Sequence, residues 1–406
     1  MVARGGTVCG MGLRDDLIDL RRDLHRHPEI GLDLPRTQRK VLAALEGLPL
    51  EVTTGTALSS VTAVLRGGRR GGADSPAVLL RGDMDALPVT ELADVPFASA
   101  VPGAMHACGH DLHTAGLVGA AHLLAGRRDE LAGDVVFMFQ PGEEGCNGAG
   151  LMIDEGVLDA AGSTVVAAYG LHVLATDFPR GVFACRPGAL MSAAAGLYVR
   201  VVGAGGHGSA PHDARDPIPA ACEMVTALQT MVGRRFSPFE PVVLTVGEFH
   251  AGTLRNVIPD EAVFSATVRT FSVAAAEQIA QDSVRLCEGI AAAHGLRAEV
   301  RFEPEYPVTV NDDTEAAFVA STVRDVFGAD RFQHMEHPDP GSEDFSRVLQ
   351  RVPGAYLFLG AAGGDDHTVM PNNHSPRAVF DDSVLHDGAV LLAELARRRL
   401  TPEPGA

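Results

Sequence analysis

Four short apolar runs, residues 61–65, 77–80, 135–139 and 165–168, constrain this chain more than any other feature. Each is too short for a helix and too continuously apolar for a strand with one wet face. Each therefore reads as a strand buried on both sides. Helical patterns lie around them. Residues 13–24 (LRDDLIDLRRDL) place apolar side chains at helical spacing, with His27-Pro28 as the stop, and further helical segments cover 37–45 and 114–124. Buried strands alternating with helices predict an α/β layer around a mainly parallel central sheet.

From about Gly188 the rhythm changes. A strand (197–202), a helix (219–232), two strands (242–249 and 262–270), a helix (273–292) and a strand (297–302) follow in turn. That βαββαβ order predicts a ferredoxin-like α+β sandwich. After Tyr306 the first pattern resumes with a helix (315–326), a strand (355–359) and a closing helix (383–399). The expectation is a discontinuous larger domain, 13–187 and 305–406, with a smaller domain, 188–304, inserted into it. A chain of 406 residues is long enough for two cores. With no tryptophan and 5% aromatics, those cores must rest on Val, Leu, Ala and Ile.

The net charge of −19, with no basic block to offset it, argues against nucleic acid and anionic lipid as partners. The six cysteines form no closely spaced pair, so reduced thiols in a cytoplasmic protein are expected. Residues 1–12 lack the apolar stretch of a secretory leader, and no apolar run approaches the ~20 residues that span a bilayer.

Polar residues able to bind metal follow the apolar strands, and in open α/β sheets that is where ligands bind. Asp83 and Asp85 leave the run 77–80 on the same side, because strand side chains repeat every second residue. His106, Cys108 and His110 stand ahead of the helical segment 114–124 and offer imidazole and thiolate donors. Glu143 and Glu144 lie side by side between glycines after the run 135–139. Adjacent carboxylates repel, and if a cation relieves them, one can ligate while the other acts as a base. His172 follows the run 165–168, and His374 lies in a late loop. Alone, each group has a plain structural reading: acids capping a turn, a buried thiol, a solvated acidic loop, histidines satisfied in the fold. Their company is what points to a metal. The segment Gly203-Ala204-Gly205-Gly206-His207-Gly208 spells a dinucleotide-binding fingerprint, but no helix opens after it and prolines follow at 211, 217 and 219. The nucleotide reading is rejected.

The segments RRDLHRHPEIG (21–31), RGDMDALP (81–88), MHACGHDLHT (105–114), FQPGEEG (139–145), GLHV (170–173), GGHGSAPH (205–212), NVIPD (256–260), GSEDF (341–345) and NHSP (373–376) carry a resemblance over nearly the whole length. The chain resembles the M20 metallopeptidase family, in its aminoacylase, hippurate-hydrolase and auxin-conjugate-hydrolase branch. That resemblance implies an α/β catalytic domain with an inserted lid or dimerisation domain. It implies Cys108 as a bridging metal ligand, with His110 and His172 completing one site and Glu144 and His374 the other. Glu143 would be the general base and Asp85 a carboxylate orienting the site, while Asp83 stands where other branches carry a ligating histidine. His207 would stabilise the reacting carbonyl, often from a partner subunit, and Asn256 and Arg269 would contact substrate. Gly142, where alanine is usual, and Arg255, where a neutral residue is usual, depart from the pattern. The implied activity is hydrolysis of small N-acyl amino acids by a homodimer using one or two divalent ions, Zn, Mn, Co or Ni. A dipeptidase or carboxypeptidase of the same chemistry is the nearer alternative, and a catalytically silent metal-binding scaffold the remoter one.

Overall fold

The computed structural model describes residues 12–72 and 75–401, so the leader-free reading of residues 1–12 and Cys9 fall outside the described residues apart from Gly12 itself. The chain divides into two compact units. One comprises the residues up to Gly188, Val310–Glu336 and those from Arg347 onward; the other comprises Ala189–Thr309 and His337–Ser346. The second unit thus runs past residue 304 and takes in a segment that the sequence pattern left with the first. Hydrogen bonds explain that segment's allegiance. Asp339 N–H donates to Leu190 O at 2.8 Å, and Ser192 N–H donates to Gly341 O at 2.9 Å.

The first unit is α/β. Its eight-stranded sheet runs in the order Leu50–Thr54, Val61–Leu65, Asp134–Gln140, Ala77–Asp83, Val165–Leu174, Gly354–Gly360, Phe183–Cys185, Phe332–His334. The central pairings are parallel, and the strands Leu50–Thr54 and Val61–Leu65 pair antiparallel at one edge. Helices His110–Ala125 and Leu385–Arg399 pack on each other and on the central strands, with helix Gly12–Arg26 against them. Strands Ala77–Asp83, Asp134–Gln140 and Gly354–Gly360 are buried at every position, which is why the stretches 77–80, 135–139 and 355–359 within them read as apolar runs. Each fully buried Leu, Val or Phe there contributes about 1.5–3 kcal/mol relative to exposure.

Apolarity marked where these strands begin but not where they stop. Ladder pairing carries the strand from Ala77 through Arg81 and Gly82 to Asp83. Two charged residues fit inside it because Arg81 Nη1 donates to Asp83 Oδ2 at 2.6 Å. His172 likewise lies inside the strand Val165–Leu174 rather than at its end. The central helix opens at His110, four residues before its apolar pattern does, behind Gly109 at φ 84°. A Cβ at Gly109 would lie 2.4 Å from Val173 Cγ2, so glycine lets this turn approach the strand that carries His172.

The second unit has the βαββαβ order predicted. Its antiparallel sheet runs Val242–Ala251, Glu261–Thr270, Ala193–Val202, Arg297–Tyr306. Burial alternates along Glu261–Thr270, the mark of a sheet covered on one face. Helices Pro217–Arg235 and Val273–Ala293 supply that cover, packing Met224, Leu228, Ile279 and Cys287 against Leu197, Val199 and Phe264. Asp216 and Ser272 cap the two helices through Ile218 N–H and Ala275 N–H. The glycine-rich segment enters a two-residue strand, Gly206–His207, paired with Val257–Ile258. Among the described residues the next α-helix, Pro217–Arg235, opens only after a further turn at Pro211–Asp213.

Candidate metal centre

The first unit gathers five of the predicted residues around one sulfur. Cys108 Sγ lies 3.3 Å from His172 Nε2 and 3.2 Å from His374 Nε2. Glu144 Oε1 is 3.3 Å from His374 Nε2 and 3.9 Å from His110 Nε2. Two triads result, Cys108–His110–His172 and Cys108–Glu144–His374, each with donor atoms within 4.8 Å of one another. Both contain the sulfur.

Local structure accounts for each placement. Cys108 precedes the helix that His110 opens, and His172 comes from the strand beside it. Glu143 and Glu144 occupy a turn after the strand Asp134–Gln140, entered through Gly142 at φ 72° and left through Gly145 at φ 78°. Both are left-handed positions that glycine takes at little cost, so the Gly142 departure from the family pattern suits the backbone here. Asp85 holds the turn: Oδ1 accepts Glu143 N–H at 2.9 Å and Oδ2 accepts Glu144 N–H at 3.0 Å. Glu143 is buried, with its carboxylate within the same 4.8 Å group as His110 and Glu144.

The electrostatics favour a cation. Burial opposes a charged His110, yet Asp83, Asp85 and Cys108 hold it well above the usual imidazole range. Hydrogen bonds to Cys108 and then Glu144 raise His374 to about 10. Burial would raise Glu144, but His374 and His110 hold it below the usual carboxylate range. The acids and the sulfur thus demand positive charge where the imidazoles meet them. Both ring nitrogens of His110 are buried without a well-formed hydrogen bond, the carboxylates of Asp83 and Asp85 lying 3.6 Å away. Native structures rarely leave such groups unmet. The orphaned atoms, and the mixture of sulfur, nitrogen and oxygen donors, fit a transition-metal ion.

One neighbouring group looks similar and is not. Asp83, His110 and His113 also converge within 4.8 Å. Asp83, however, pairs with Arg81 and accepts from His113 Nδ1 at 2.6 Å, and burial notwithstanding its carboxyl stays well below the usual range. His106 is buried outside the triads, where burial pushes it down to about 3, so it is neutral.

Residues 79–398 match the family model described as peptidase family M20/M25/M40. The chain belongs to this family. It is 38% identical over 391 residues to the thermostable carboxypeptidase 2 of Saccharolobus solfataricus, covering 95% of each chain. It is 37% identical over 381 residues to the N-acetylcysteine deacetylase of Bacillus subtilis, covering 94% of this chain and 96% of that one. A Bacillus subtilis crystal structure described as a dinuclear metal binding peptidase from the M20 family aligns with a TM-score of 0.82 at 34% identity. The alignment covers 96% of this chain and 98% of that one. As an M20 member the protein is a hydrolase of the amidohydrolase and peptidase class.

The remaining predicted residues lie in the second unit of this M20 chain. His207 is exposed on the segment Gly206–His207, and Asn256 is exposed just before its partner strand Val257–Ile258, with Gly208 N–H donating to Asn256 O at 2.9 Å. Arg269 lies on Glu261–Thr270, and its Nη1 is buried without a hydrogen-bond partner. Three residues that brace the centre, Arg81, His113 and Asn373, were not singled out from sequence. All three lie inside the segments that carry the family resemblance, but nothing in a motif separates a ligand from its support. No helix among the described residues is long and apolar enough to cross a membrane.

Proposed function

We propose that this protein hydrolyses the amide bond of small N-acyl amino acids with one or two divalent ions, Zn²⁺, Mn²⁺, Co²⁺ or Ni²⁺. The observation that carries the reading is the pair of triads sharing Cys108 Sγ, with the Glu143 carboxylate beside them. Cys108, His110 and His172 would hold one ion, and Cys108, Glu144 and His374 the other. A divalent cation bound there supplies Lewis acidity, polarising the amide carbonyl and lowering the pKa of water from 15.7 to about 7. Glu143 takes the proton of the attacking water and later delivers it to the leaving amine. Asp85 keeps Glu143 in place by accepting its backbone N–H. His207 donates to the developing oxyanion, a contribution of about 10²–10³ in rate for one such donor. Asn256 binds substrate, and Arg269, a cation with an unmet buried donor, takes the terminal carboxylate. The exposed Arg255 bears on the choice of substrate.

The carboxypeptidase among the relatives supports a second reading, cleavage of peptides by the same chemistry. Comparing an N-acetyl or N-benzoyl amino acid with the matching dipeptide separates the two. Glu143→Gln is expected to keep its metal and lose about 10²–10⁴ in turnover. Near-normal hydrolysis by that variant refutes the base assignment. Activity that survives a chelator refutes the metal itself. We also propose a homodimer formed through the second unit, to be read by sedimentation. Five free cysteines among the described residues support a cytoplasmic setting.

A further inference from the structure

Val173 offers its backbone carbonyl and its N–H to side chains around the centre. Its carbonyl accepts His172 Nδ1–H at 2.8 Å, which leaves His172 Nε2 with a lone pair toward Cys108 Sγ. The same carbonyl accepts from Asn373 Nδ2 at 3.0 Å. The Val173 N–H donates to His113 Nε2 at 2.8 Å. A backbone N–H only donates, so His113 Nε2 carries a lone pair and Nδ1 carries the proton given to Asp83. Both nitrogens of His113 are therefore engaged by protein, and none remains to ligate. Asn373 ties the other half to the same strand. Its Oδ1 accepts Ala175 N–H at 2.9 Å, and its Nδ2 also reaches Cys108 O at 3.4 Å. The next residue, His374, has φ 68°, a left-handed conformation that a non-glycine residue holds only when its surroundings impose it. Besides Asn373, the bond from His374 N–H to Ala107 O at 2.8 Å imposes it.

We infer that His113 and Asn373 are positioning residues that set the two halves of the centre from the backbone of one residue, Val173, His113 fixing the His172 side and Asn373 the His374 side. The inference rests on the metal-centre reading. Removing His113 loosens the His172 side alone, whereas removing Asn373, which also touches Val173 O and Cys108, loosens the His374 side most, because Cys108 and His172 keep their helix and strand supports without it.

Ion stoichiometry and affinity of the purified full-length protein, titrated with Mn²⁺ and checked by elemental analysis, test this. Asn373→Ala is expected to weaken one ion by about 10–100-fold, the usual effect of losing a group that orients a ligand. His113→Gln weakens the complementary ion by a similar factor. In a His374→Ala background, Asn373→Ala adds nothing, whereas His113→Gln still weakens the ion that remains. Equal weakening of both ions by Asn373→Ala overturns the inference, as does a further loss in the His374→Ala background. The Asn373 arm stands alone if His113→Gln fails to fold, since Asn373 lies in a partly exposed loop. Wild-type protein that binds no ion refutes the metal-centre reading itself, a result separate from either failure above.

Discussion

His110 and His172 reach the shared sulfur from a helix start and a strand, both buried, whereas Glu144 and His374 reach it from loops. The His374 side chain is 56% exposed and that of His110 0%. The inner half is built into the core, behind the Arg81–Asp83 pair and the strand ladder. The outer half is held by a few hydrogen bonds to a strained loop. The inner ligands are therefore positioned by folding itself, while the outer ones can be lost at little cost to the fold. Such asymmetry suits a hydrolase, which needs a fixed anchor and an accessible side for substrate exchange.

The largest effect tests what the halves share. Cys108→Ala removes the one donor common to both triads, and elemental analysis is expected to find metal content lowered at both positions. Retention of a full complement would mean that the sulfur does not join them. Next comes the contrast in stability. Arg81→Leu strips the buried Asp83 carboxylate of its arginine partner, leaving only His113 and His110 facing it, and is expected to cost about 3–5 kcal/mol in urea unfolding of metal-free protein. His374→Ala, at the exposed end, is expected to change that stability by no more than about 0.5 kcal/mol while abolishing one ion. Comparable destabilisation by both variants would erase the distinction between a core half and a loop half.

The smallest effect lies furthest from the centre, at the end of the helix that supports the inner half. Burial alone would raise the Glu394 carboxyl, but Arg397, Arg398 and Arg127 hold it down at about 2. A folded pKa below the unfolded value of about 4.3 means that its stabilisation is present above that pH and is lost as pH falls toward 2. Glu394→Gln is expected to cost about 1 kcal/mol at neutral pH, given its partial exposure, and to converge with wild type in the acid limb of a stability profile. Parallel profiles would show that the arginine cluster does not depend on this charge.

Much of the architecture was legible because burial on both faces writes itself into strands as continuous apolarity. The runs 61–65, 77–80, 135–139 and 165–168 all mark real strands. The switch to alternating burial at Glu261–Thr270 marks the second unit just as plainly. What the pattern missed were the polar ends. Arg81, Gly82 and Asp83 continue a strand that apolarity closes at Leu80, and His110 opens a helix before any apolar periodicity begins. Side chains paired with distant residues leave no local period to detect.

The site divides the same way. Residue types alone determined which groups can carry metal chemistry, since thiolate, imidazole and carboxylate are the donors available and Cys108, His110, Glu144, His172 and His374 are such groups. Only the tertiary structure decided that these five meet and that His113, equally competent chemically, does not join them. The deciding contact is a hydrogen bond from Val173 N–H, sixty residues away in the chain. A backbone donor fixes the tautomer of an imidazole, and the tautomer decides whether a lone pair remains for a metal.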